Sequence, residues 1–385
     1  MGIEDLFPEA QEIISSKEIN EKIKRGEKLR VKLGADPSRS DLHLGHSVIL
    51  LRLKKLQDKG HKIVFIVGDF TGMIGDPSGK SKTRIVLDRE QVEENAKSYF
   101  EQIGKILDVK NSEIVKNSEW FSKMNFEDIL SISAKVTVAQ IIERDDFAKR
   151  LKAGNDIGLN EMMYPLMQGY DSVMVKSDVE IGGTDQKFNM IMGRNLQKKY
   201  GQVSQAVVTM PLLLGLDAVK KMSKSEDNYI ALNDSPEEKF GKIMSISDSM
   251  VMDYIRLITD FSHIEVNNLE KEFKSDPRSV KEKLAYRIVK MYDGTGSADH
   301  AQDYFQRVVV KKEIPEEVEE YESKDGDNLI SILTNSNLVH SNSEVLRLVK
   351  QGGVAIDGEK VENPYAAVKK GSVIRVGKRR YLKIK

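Results

Sequence analysis

Strand and helix signals alternate along the first half of the chain, and this alternation restricts the fold more than any other feature. An apolar run over residues 29–35 precedes a helix pattern over residues 43–59, and a second apolar run covers residues 63–68. Gly60 supplies a stop signal for the helix. This order makes a βαβ unit, because continuous apolar runs are typical of parallel strands that are buried on both faces.

The same order returns later in the chain. A strand is predicted at residues 179–181, a helix at residues 186–199 and a strand at residues 206–210. Two such units predict an α/β fold with a Rossmann-type, doubly wound parallel sheet. Between the units, residues 113–170 read as mostly helical, and we interpret them as an insertion that could form a dimer face.

The changes in pattern along the chain predict several domains. They are the α/β domain (residues 1–232), an all-helical domain (233–312), an acidic linker (313–327) and a small α+β domain (328–385). The helical domain starts where Ser235 precedes a proline and two glutamates, which is an N-terminal capping pattern. The linker has little to bury. The last domain combines two short helices with a hairpin that turns at Asp357 and Gly358.

Charge is balanced over the whole chain but not along it. There are 60 basic and 60 acidic residues, yet residues 328–385 hold 11 Lys or Arg against 4 Asp or Glu. This basic module favours contact with an RNA backbone, and a solvated domain with spare lysines is the alternative. The chain has no cysteine, which excludes disulfides and thiolate metal sites. Its acidic start and the lack of a membrane-length apolar run predict a cytoplasmic protein.

The sequence HLGH, from His43 to His46, stands where the first turn passes into the first long helix. With Asp41 as the predicted N-cap, both imidazoles lie on the first helical turn, where backbone N–H groups and the helix dipole favour anions. Two hydrogen-bond donors there suit a triphosphate whose α-phosphorus is attacked. The alternatives are a surface helix that happens to hold two histidines and a zinc pair, for which no third ligand is near.

The sequence KMSKS places Lys221 and Lys224 on a short loop after a strand. Mobile lysines on a loop can close over pyrophosphate as it forms. A solvated charged loop is the alternative interpretation. The order of the two motifs, with a βαβ unit around the first, favours a nucleotide site.

Together the two motifs resemble the HIGH and KMSKS signatures of the class I aminoacyl-tRNA synthetases, with Leu44 in place of isoleucine. The resemblance implies a Rossmann-type domain that consumes ATP, with Mg²⁺ bound mainly through the phosphates. It also implies that His43 and His46 stabilise the phosphates in the transition state. Lys221 and Lys224 are implied to hold the pyrophosphate.

Tyr164, Gln168 and Asp171 share one face of a predicted helix that is otherwise largely apolar. A buried carboxylate can accept a hydrogen bond from a phenol, while an amide together with Asp76 can hold an α-ammonium group. Such a site rejects phenylalanine, because a substrate without the hydroxyl leaves a buried group unpaired. A polar helix surface is the alternative.

This helix, YPLMQGYD, resembles the tyrosine-binding helix of the tyrosyl-tRNA synthetases, and the resemblance extends over nearly the whole chain. GDPSGK (75–80) and EIGGTDQ (180–186) look like loops of these enzymes, and residues 341–361 look like an S4-type RNA-binding module. The resemblance implies that tyrosine is bound by Asp76, Tyr164, Gln168, Asp171 and Gln186. It implies that ATP is bound by Asp36, Ser38, Gly45, Lys80, Arg84, Gly183, Asp185 and Lys224.

Some positions depart from the family pattern. Lys32 stands where the family often has a tyrosine that contacts the substrate phenol, Leu33 where a cysteine can occur, and Glu180 where the loop usually begins with glutamine. The run GDPSGKS also ends like a P-loop, but Ile74 replaces the glycine that a P-loop requires.

We therefore expect an enzyme that activates L-tyrosine with ATP and transfers it to tRNA(Tyr), working as a homodimer. A tryptophanyl-tRNA synthetase is the nearest rival, because it shares both signatures. An RNA-binding paralogue without catalysis is the other. Asp171 and the S4-like segment favour tyrosine, and the intact histidines and lysines favour a working enzyme.

Overall fold

The computed structural model describes residues 2–37, 41–76, 89–311, 313, 318–324, 326–339, 341–377 and 380–385. The chain divides into two compact units, Met1–Tyr292 and Asp293–Lys385. The domain boundaries at residues 232, 312 and 327 stay predictions. Within the described ranges, no helix is long and apolar enough to cross a membrane.

A six-stranded sheet forms the centre of the first unit. Its strands are β1 (Glu12–Ile14), β2 (Arg30–Ala35), β3 (Lys62–Val67), β4 (Glu113–Lys116), β5 (Val179–Gly183) and β6 (Ala206–Met210). Their order across the sheet is β1-β6-β5-β2-β3-β4, and only the pairing of β1 with β6 is antiparallel. The chain order therefore runs outward from β2 through β3 to β4 on one side and from β5 to β6 on the other, which confirms the doubly wound sheet.

Helices cover the sheet and continue beyond it. They are α1 (Lys17–Lys24), α2 (Leu44–Asp58), α3 (Arg89–Ile103), α4 (Ser118–Phe121), α5 (Phe126–Ser133), α6 (Val138–Ile142), α7 (Asp145–Lys152), α8 (Leu159–Val175), α9 (Lys187–Lys199), α10 (Pro236–Met244), α11 (Asp248–Ile258), α12 (His263–Phe273) and α13 (Pro277–Asp293). Helix α2 ends just before Gly60, whose φ of +81° suits a residue without a side chain. The hydroxyl of Ser235 accepts a hydrogen bond from the Glu238 N–H at 3.2 Å, which confirms the predicted N-cap of α10.

The predicted insertion begins too early. Its first residues form β4, which pairs in parallel with β3 and belongs to the sheet. Strand β4 lies at the edge of the sheet, so its EIVK sequence alternates between half-buried and exposed positions and lacks the apolar run of a central strand. The helices α4 to α8 follow it, as predicted for the rest of the insertion.

The second unit contains helices and a separate five-stranded sheet. Its elements are α14 (Thr295–Tyr304), a π-helical turn (Phe305–Val310), α15 (Leu329–Asn335), α16 (Asn342–Lys350), β7 (Glu319–Tyr321), β8 (Val354–Ile356), β9 (Glu359–Lys360), β10 (Val373–Val376) and β11 (Arg380–Ile384). The predicted hairpin joins β8 to β9, with φ of +52° at Asp357 and +90° at Gly358. Strand β7 pairs with β11, so part of the predicted linker is a strand of this sheet.

Candidate active site

The carboxyl ends of β2 and β5 lie side by side, at the point where the chain order of the sheet reverses. Open parallel sheets bind ligands in the crevice outside such strand ends. Asp36 directly follows β2, Gly183 ends β5, and Asp185 comes two residues later. The fold therefore brings candidate residues from separate motifs to one edge of the sheet.

The two histidines of HLGH form the amino-terminal cap of α2. His43 is the N-cap residue, and its Nδ1 accepts a hydrogen bond from the Gly45 N–H at 3.2 Å. The Nδ1 atom of His46 lies 3.2 Å from the backbone nitrogen of His43, and the two rings are 4.0 Å apart. The prediction of Asp41 as N-cap is wrong, because the imidazole of His43 performs that role. Gly45 is required here, since a Cβ atom would lie 2.9 Å from the His43 ring.

Both imidazoles are held in the neutral form. Burial, followed by the neighbouring charges, lowers the pKa of His43 to about 2, and burial lowers the pKa of His46 to about 4. Because Nδ1 of His43 accepts a hydrogen bond, the single proton of its neutral ring is on Nε2. Neutral rings act on a ligand as hydrogen-bond donors and not as cations.

The KMSKS loop lies against this helix end. The Cβ atom of Met222, which is buried, comes within 3.6 Å of the position that a Cβ on Gly45 would occupy. Lys221 forms an ion pair with Asp185 at 2.6 Å, and Lys224 forms one with Asp41 at 3.1 Å. These two ion pairs tie the loop to both halves of the sheet, while the Lys221 side chain remains 44% exposed.

Helix α8 carries the predicted polar stripe into the interior. The Tyr164 hydroxyl donates to Asp36 at 2.7 Å, and the Gln168 side chain accepts from Asn189 at 2.8 Å. Asp171 accepts from the indole N–H of Trp120 at 3.0 Å. The stripe faces the protein interior and not solvent, so the alternative of a polar helix surface is wrong.

Asp171 is a buried carboxylate, only 4% exposed. Burial raises its pKa to about 7, although the Lys32 charge and hydrogen bonds from Asn117 and Trp120 act in the opposite direction. An ionised carboxylate has more acceptor positions than these two donors fill. Asp171 can therefore accept a further hydrogen bond from a hydroxyl group brought by a ligand.

A chain of hydrogen bonds joins Asp171 to the end of β2. The Asn117 amide donates to Asp171 at 3.4 Å and to the Thr71 hydroxyl at 2.9 Å. Thr71 in turn donates to Asp36 at 2.7 Å. Residues implied to bind tyrosine and a residue implied to bind ATP thus share one hydrogen-bond network.

The remaining candidates for tyrosine binding form a second group. The Gln186 amide donates to Asp76 at 2.7 Å, and Asn189 bridges Gln186 and Gln168 at 3.2 and 2.8 Å. Arg144 lies 3.8 Å from Asp76. The carboxylate of Asp76 and the side-chain amides of Gln168 and Gln186 provide oxygen atoms that suit an ammonium ligand.

Sequence reasoning missed several residues that hold this site together, namely Thr71, Asn117, Trp120, Arg144 and Asn189. Asn189 lies three residues after Gln186, so its spacing was a usable signal. Arg144 stands in the helical insertion, far in sequence from every motif, and carries no such signal. Three candidates for ATP binding, Ser38, Lys80 and Arg84, lie outside the described residues.

No cluster of three or more His, Asp or Glu side chains suited to a metal ion occurs in the ranges that the structure describes. The zinc interpretation of the two histidines therefore gains no support. Their rings are instead engaged in capping α2.

Comparisons with known proteins agree over nearly the full chain. A family model described as class I tRNA synthetases (W and Y) matches residues 24–309, and an S4 domain model matches residues 329–374. A tyrosine–tRNA ligase of Thermotoga maritima is 50% identical over 97% of this chain and 94% of its own. A tyrosine–tRNA ligase of Bdellovibrio bacteriovorus is 46% identical over 97% of this chain and 95% of its own.

Solved structures show the same fold at low identity. A C-terminally truncated mitochondrial tyrosyl-tRNA synthetase of Aspergillus nidulans matches with a TM-score of 0.68 at 20% identity, covering 80% of this chain and 94% of that one. A tyrosyl-tRNA synthetase of Archaeoglobus fulgidus complexed with L-tyrosine matches with a TM-score of 0.62 at 24% identity, covering 78% and 100%. At these identities, the comparison supports the fold and not the substrate.

Proposed function

The chain belongs to the class I tRNA synthetases of the tryptophan and tyrosine type, and from this premise we propose that it is a tyrosine–tRNA ligase. The tyrosine carboxylate attacks the α-phosphate of ATP, which forms tyrosyl-adenylate and releases pyrophosphate. The tyrosyl group then passes to the terminal ribose of tRNA(Tyr). The observation that carries the choice of tyrosine is Asp171, a buried carboxylate with acceptor capacity left over on the polar face of α8.

Positioning and charge stabilisation are the main tasks of the protein in the first step. Neutral His43 and His46 donate hydrogen bonds to the phosphates as negative charge moves to the leaving group. Lys221 and Lys224 exchange their carboxylate partners for pyrophosphate. Mg²⁺ is bound mainly by the phosphates.

Binding of the substrates is divided among the groups described above. Asp171 faces the phenol side, while Asp76, Gln168 and Gln186 hold the ammonium group. Tyr164, whose hydroxyl donates to Asp36, completes the tyrosine-binding set. The contacts proposed for ATP are made by Asp36, Ser38, Gly45, Lys80, Arg84, Gly183, Asp185 and Lys224. Tyr164 acts as a neutral hydroxyl, because burial and the nearby carboxylates raise its pKa well above its ordinary value.

Amino-acid-dependent exchange of labelled pyrophosphate into ATP tests the substrate directly. We expect exchange with tyrosine, and little with tryptophan or phenylalanine, because neither fills the hydrogen-bonding capacity of Asp171 with a phenol. Exchange driven by tryptophan would favour the tryptophanyl rival. No exchange with any of the three would favour the paralogue without catalysis.

The S4-like segment is proposed to hold tRNA through phosphate contacts. Arg347 and Lys350 are exposed on the last turn of α16. Replacing both with glutamate is expected to raise the KM for tRNA about 10-fold. The slope of the logarithm of affinity against the logarithm of salt concentration should fall by the amount that corresponds to about two phosphate contacts. Aminoacylation at several salt concentrations measures both effects. Pyrophosphate exchange should not change, and an unchanged KM for tRNA would exclude these contacts.

A homodimer and a cytoplasmic location complete the proposal. Large apolar side chains are exposed on the helical insertion, including Phe126 (76%), Leu130 (53%) and Leu159 (76%). Phe126 and Leu130 are one turn apart on α5 and share a face. Exposed apolar groups that share a helix face are typical of an association surface.

A further inference from the structure

Lys32 and Glu180, two of the departures from the family pattern, are partners in the folded chain. They lie opposite each other on the neighbouring strands β2 and β5. Lys32 Nζ is 2.8 Å from Glu180 Oε1, and the two side chains are 0% and 2% exposed. Burial of an ion pair costs desolvation that its attraction often fails to offset, so such a pair is weak support for stability alone.

The pair is fully satisfied by hydrogen bonds. The ammonium group of Lys32 donates to Glu180, to the Ser172 hydroxyl at 2.8 Å and to the backbone carbonyl of Gln168 at 3.1 Å. These three hydrogen bonds use all the N–H donors of the lysine ammonium group. The second oxygen of Glu180 accepts from Ser172 at 3.0 Å and from the Gln205 amide at 2.5 Å. A network without an unpaired member fixes its geometry firmly.

The two residues of α8 that Lys32 contacts, Gln168 and Ser172, lie on either side of Asp171 in the sequence. Gln168 precedes Asp171 by three residues, and Ser172 follows it directly. The ammonium of Lys32 therefore ties one turn of α8 to the sheet, and Asp171 stands on that turn. Trp120 and Asn117 hold the Asp171 carboxylate by hydrogen bonds of their own.

Electrostatics acts in the same direction as the geometry. The charge of Lys32 lowers the pKa of Asp171 against the effect of burial, and this outweighs the opposite effect of Glu180. The other groups on Asp171, the amide of Asn117 and the indole of Trp120, are neutral donors. Tyr164 on the same stripe is a neutral hydroxyl. Lys32 is thus the cation that favours an ionised Asp171.

We propose that the Lys32–Glu180 pair is a specificity-determining positioning device, which holds the turn of α8 between Gln168 and Ser172 so that Asp171 meets the phenol hydroxyl of tyrosine. The inference rests on the proposed function, because it assumes tyrosine as the substrate. It assigns the choice between tyrosine and phenylalanine to residues whose polar atoms are engaged within the protein.

Lys32→Met in the full chain is the direct test. We expect kcat/KM for tyrosine in pyrophosphate exchange to fall by about 10- to 100-fold, which corresponds to a misplaced hydrogen bond to a charged group. The value for phenylalanine and the KM for ATP should stay the same, so the ratio of tyrosine to phenylalanine falls. The loss of tyrosine activity on acidification should also move to higher pH, because Asp171 has lost the charge that favours its ionised form.

A matched control exists on the same helix. Arg150 of α7 and Glu161 of α8 form another buried ion pair, with N–O distances of 2.5 and 3.0 Å. Glu161 lies ten residues before Asp171 on α8. Arg150→Met should lower the melting temperature by an amount similar to Lys32→Met, about 10 °C. It should leave both the amino-acid ratio and the pH profile of the folded enzyme as in the wild type.

A second variant covers the case in which Lys32→Met does not fold. Lys32→Met/Glu180→Leu removes both charges and leaves no unpaired ion, yet still releases Gln168 and Ser172. We expect it to fold and to have the lowered ratio. A wild-type ratio and pH profile in whichever variant folds would overturn the inference. Failure of the unmodified protein to activate tyrosine would instead overturn the proposed function.

Discussion

Replacing His46 with alanine is expected to slow formation of tyrosyl-adenylate by about 100- to 1,000-fold, the loss typical of one preorganised donor at a developing charge. Tyrosine binding should change little, since the ring belongs to the cap of α2 and not to the stripe on α8. The exchange rate at saturating substrates and equilibrium binding of tyrosine measure the two effects. An unchanged exchange rate would exclude the role.

Two further variants test whether His46 acts by donating a hydrogen bond and whether the loss is specific to this histidine. His46→Asn keeps a donor near the same place and should recover part of the rate. His263→Ala removes an exposed histidine at the start of α12 and should leave the rate unchanged. Because burial lowers the pKa of His46 to about 4, the ring is neutral on both sides of pH 7, and the loss on substitution should not depend on pH there. A cationic role would produce a larger loss in acid.

The central strands and helix α2 could be predicted from sequence because each signal is local. Strand β6 has the predicted bounds, and the bounds of β2, β3 and α2 differ from the prediction by at most one residue at each end. Continuous apolar runs identify strands that are buried on both faces, and Gly60 identifies a helix stop. The edge strand β4 and the short strand β1 lack that run, so their place in the sheet depends on partners far away in sequence.

The cap of α2 was mispredicted for a different reason. Propensity favours aspartate at an N-cap, which pointed to Asp41, while histidine is not among the preferred capping residues. The Nδ1 atom of His43 nevertheless accepts the same type of backbone hydrogen bond as a capping carboxylate. Asp41 is used instead to hold Lys224.

The partnership of Lys32 with Glu180 was beyond the reach of sequence reasoning. The two residues are 148 positions apart, and in the sequence they are two separate departures from the family pattern. Only the pairing of β2 with β5 makes them neighbours, and strand order cannot be read from either strand alone. The resemblance identified the residues that touch the substrates, whereas residues that hold them in place, such as Asn189, required the fold.

Asp171→Asn is the other substitution with a large expected effect. It keeps the size of the side chain but replaces an ionised acceptor with a neutral amide, whose NH2 group must face a donor, either the Asn117 amide or the Trp120 indole. We expect kcat/KM for tyrosine to fall about 100-fold, because hydrogen bonds to buried charged groups are the stronger class. Phenylalanine should be affected little, and exchange assays with the two amino acids give the ratio.

The pH profile tests whether the negative charge of Asp171 is the reason for the expected loss of kcat/KM for tyrosine. Burial raises the pKa of this carboxyl to about 7, so it is protonated below that pH and ionised above it. In the wild type, kcat/KM for tyrosine should therefore fall as the pH drops through about 7, and Asp171→Asn should lack this dependence. Asp178→Asn is the matched control, because this buried carboxylate accepts from the Arg30 N–H at 2.9 Å and Lys22 at 2.6 Å, away from the stripe. Asp178→Asn should lose stability but keep the fall of kcat/KM at low pH. If Asp171→Asn also kept this fall, the titration would belong to another group.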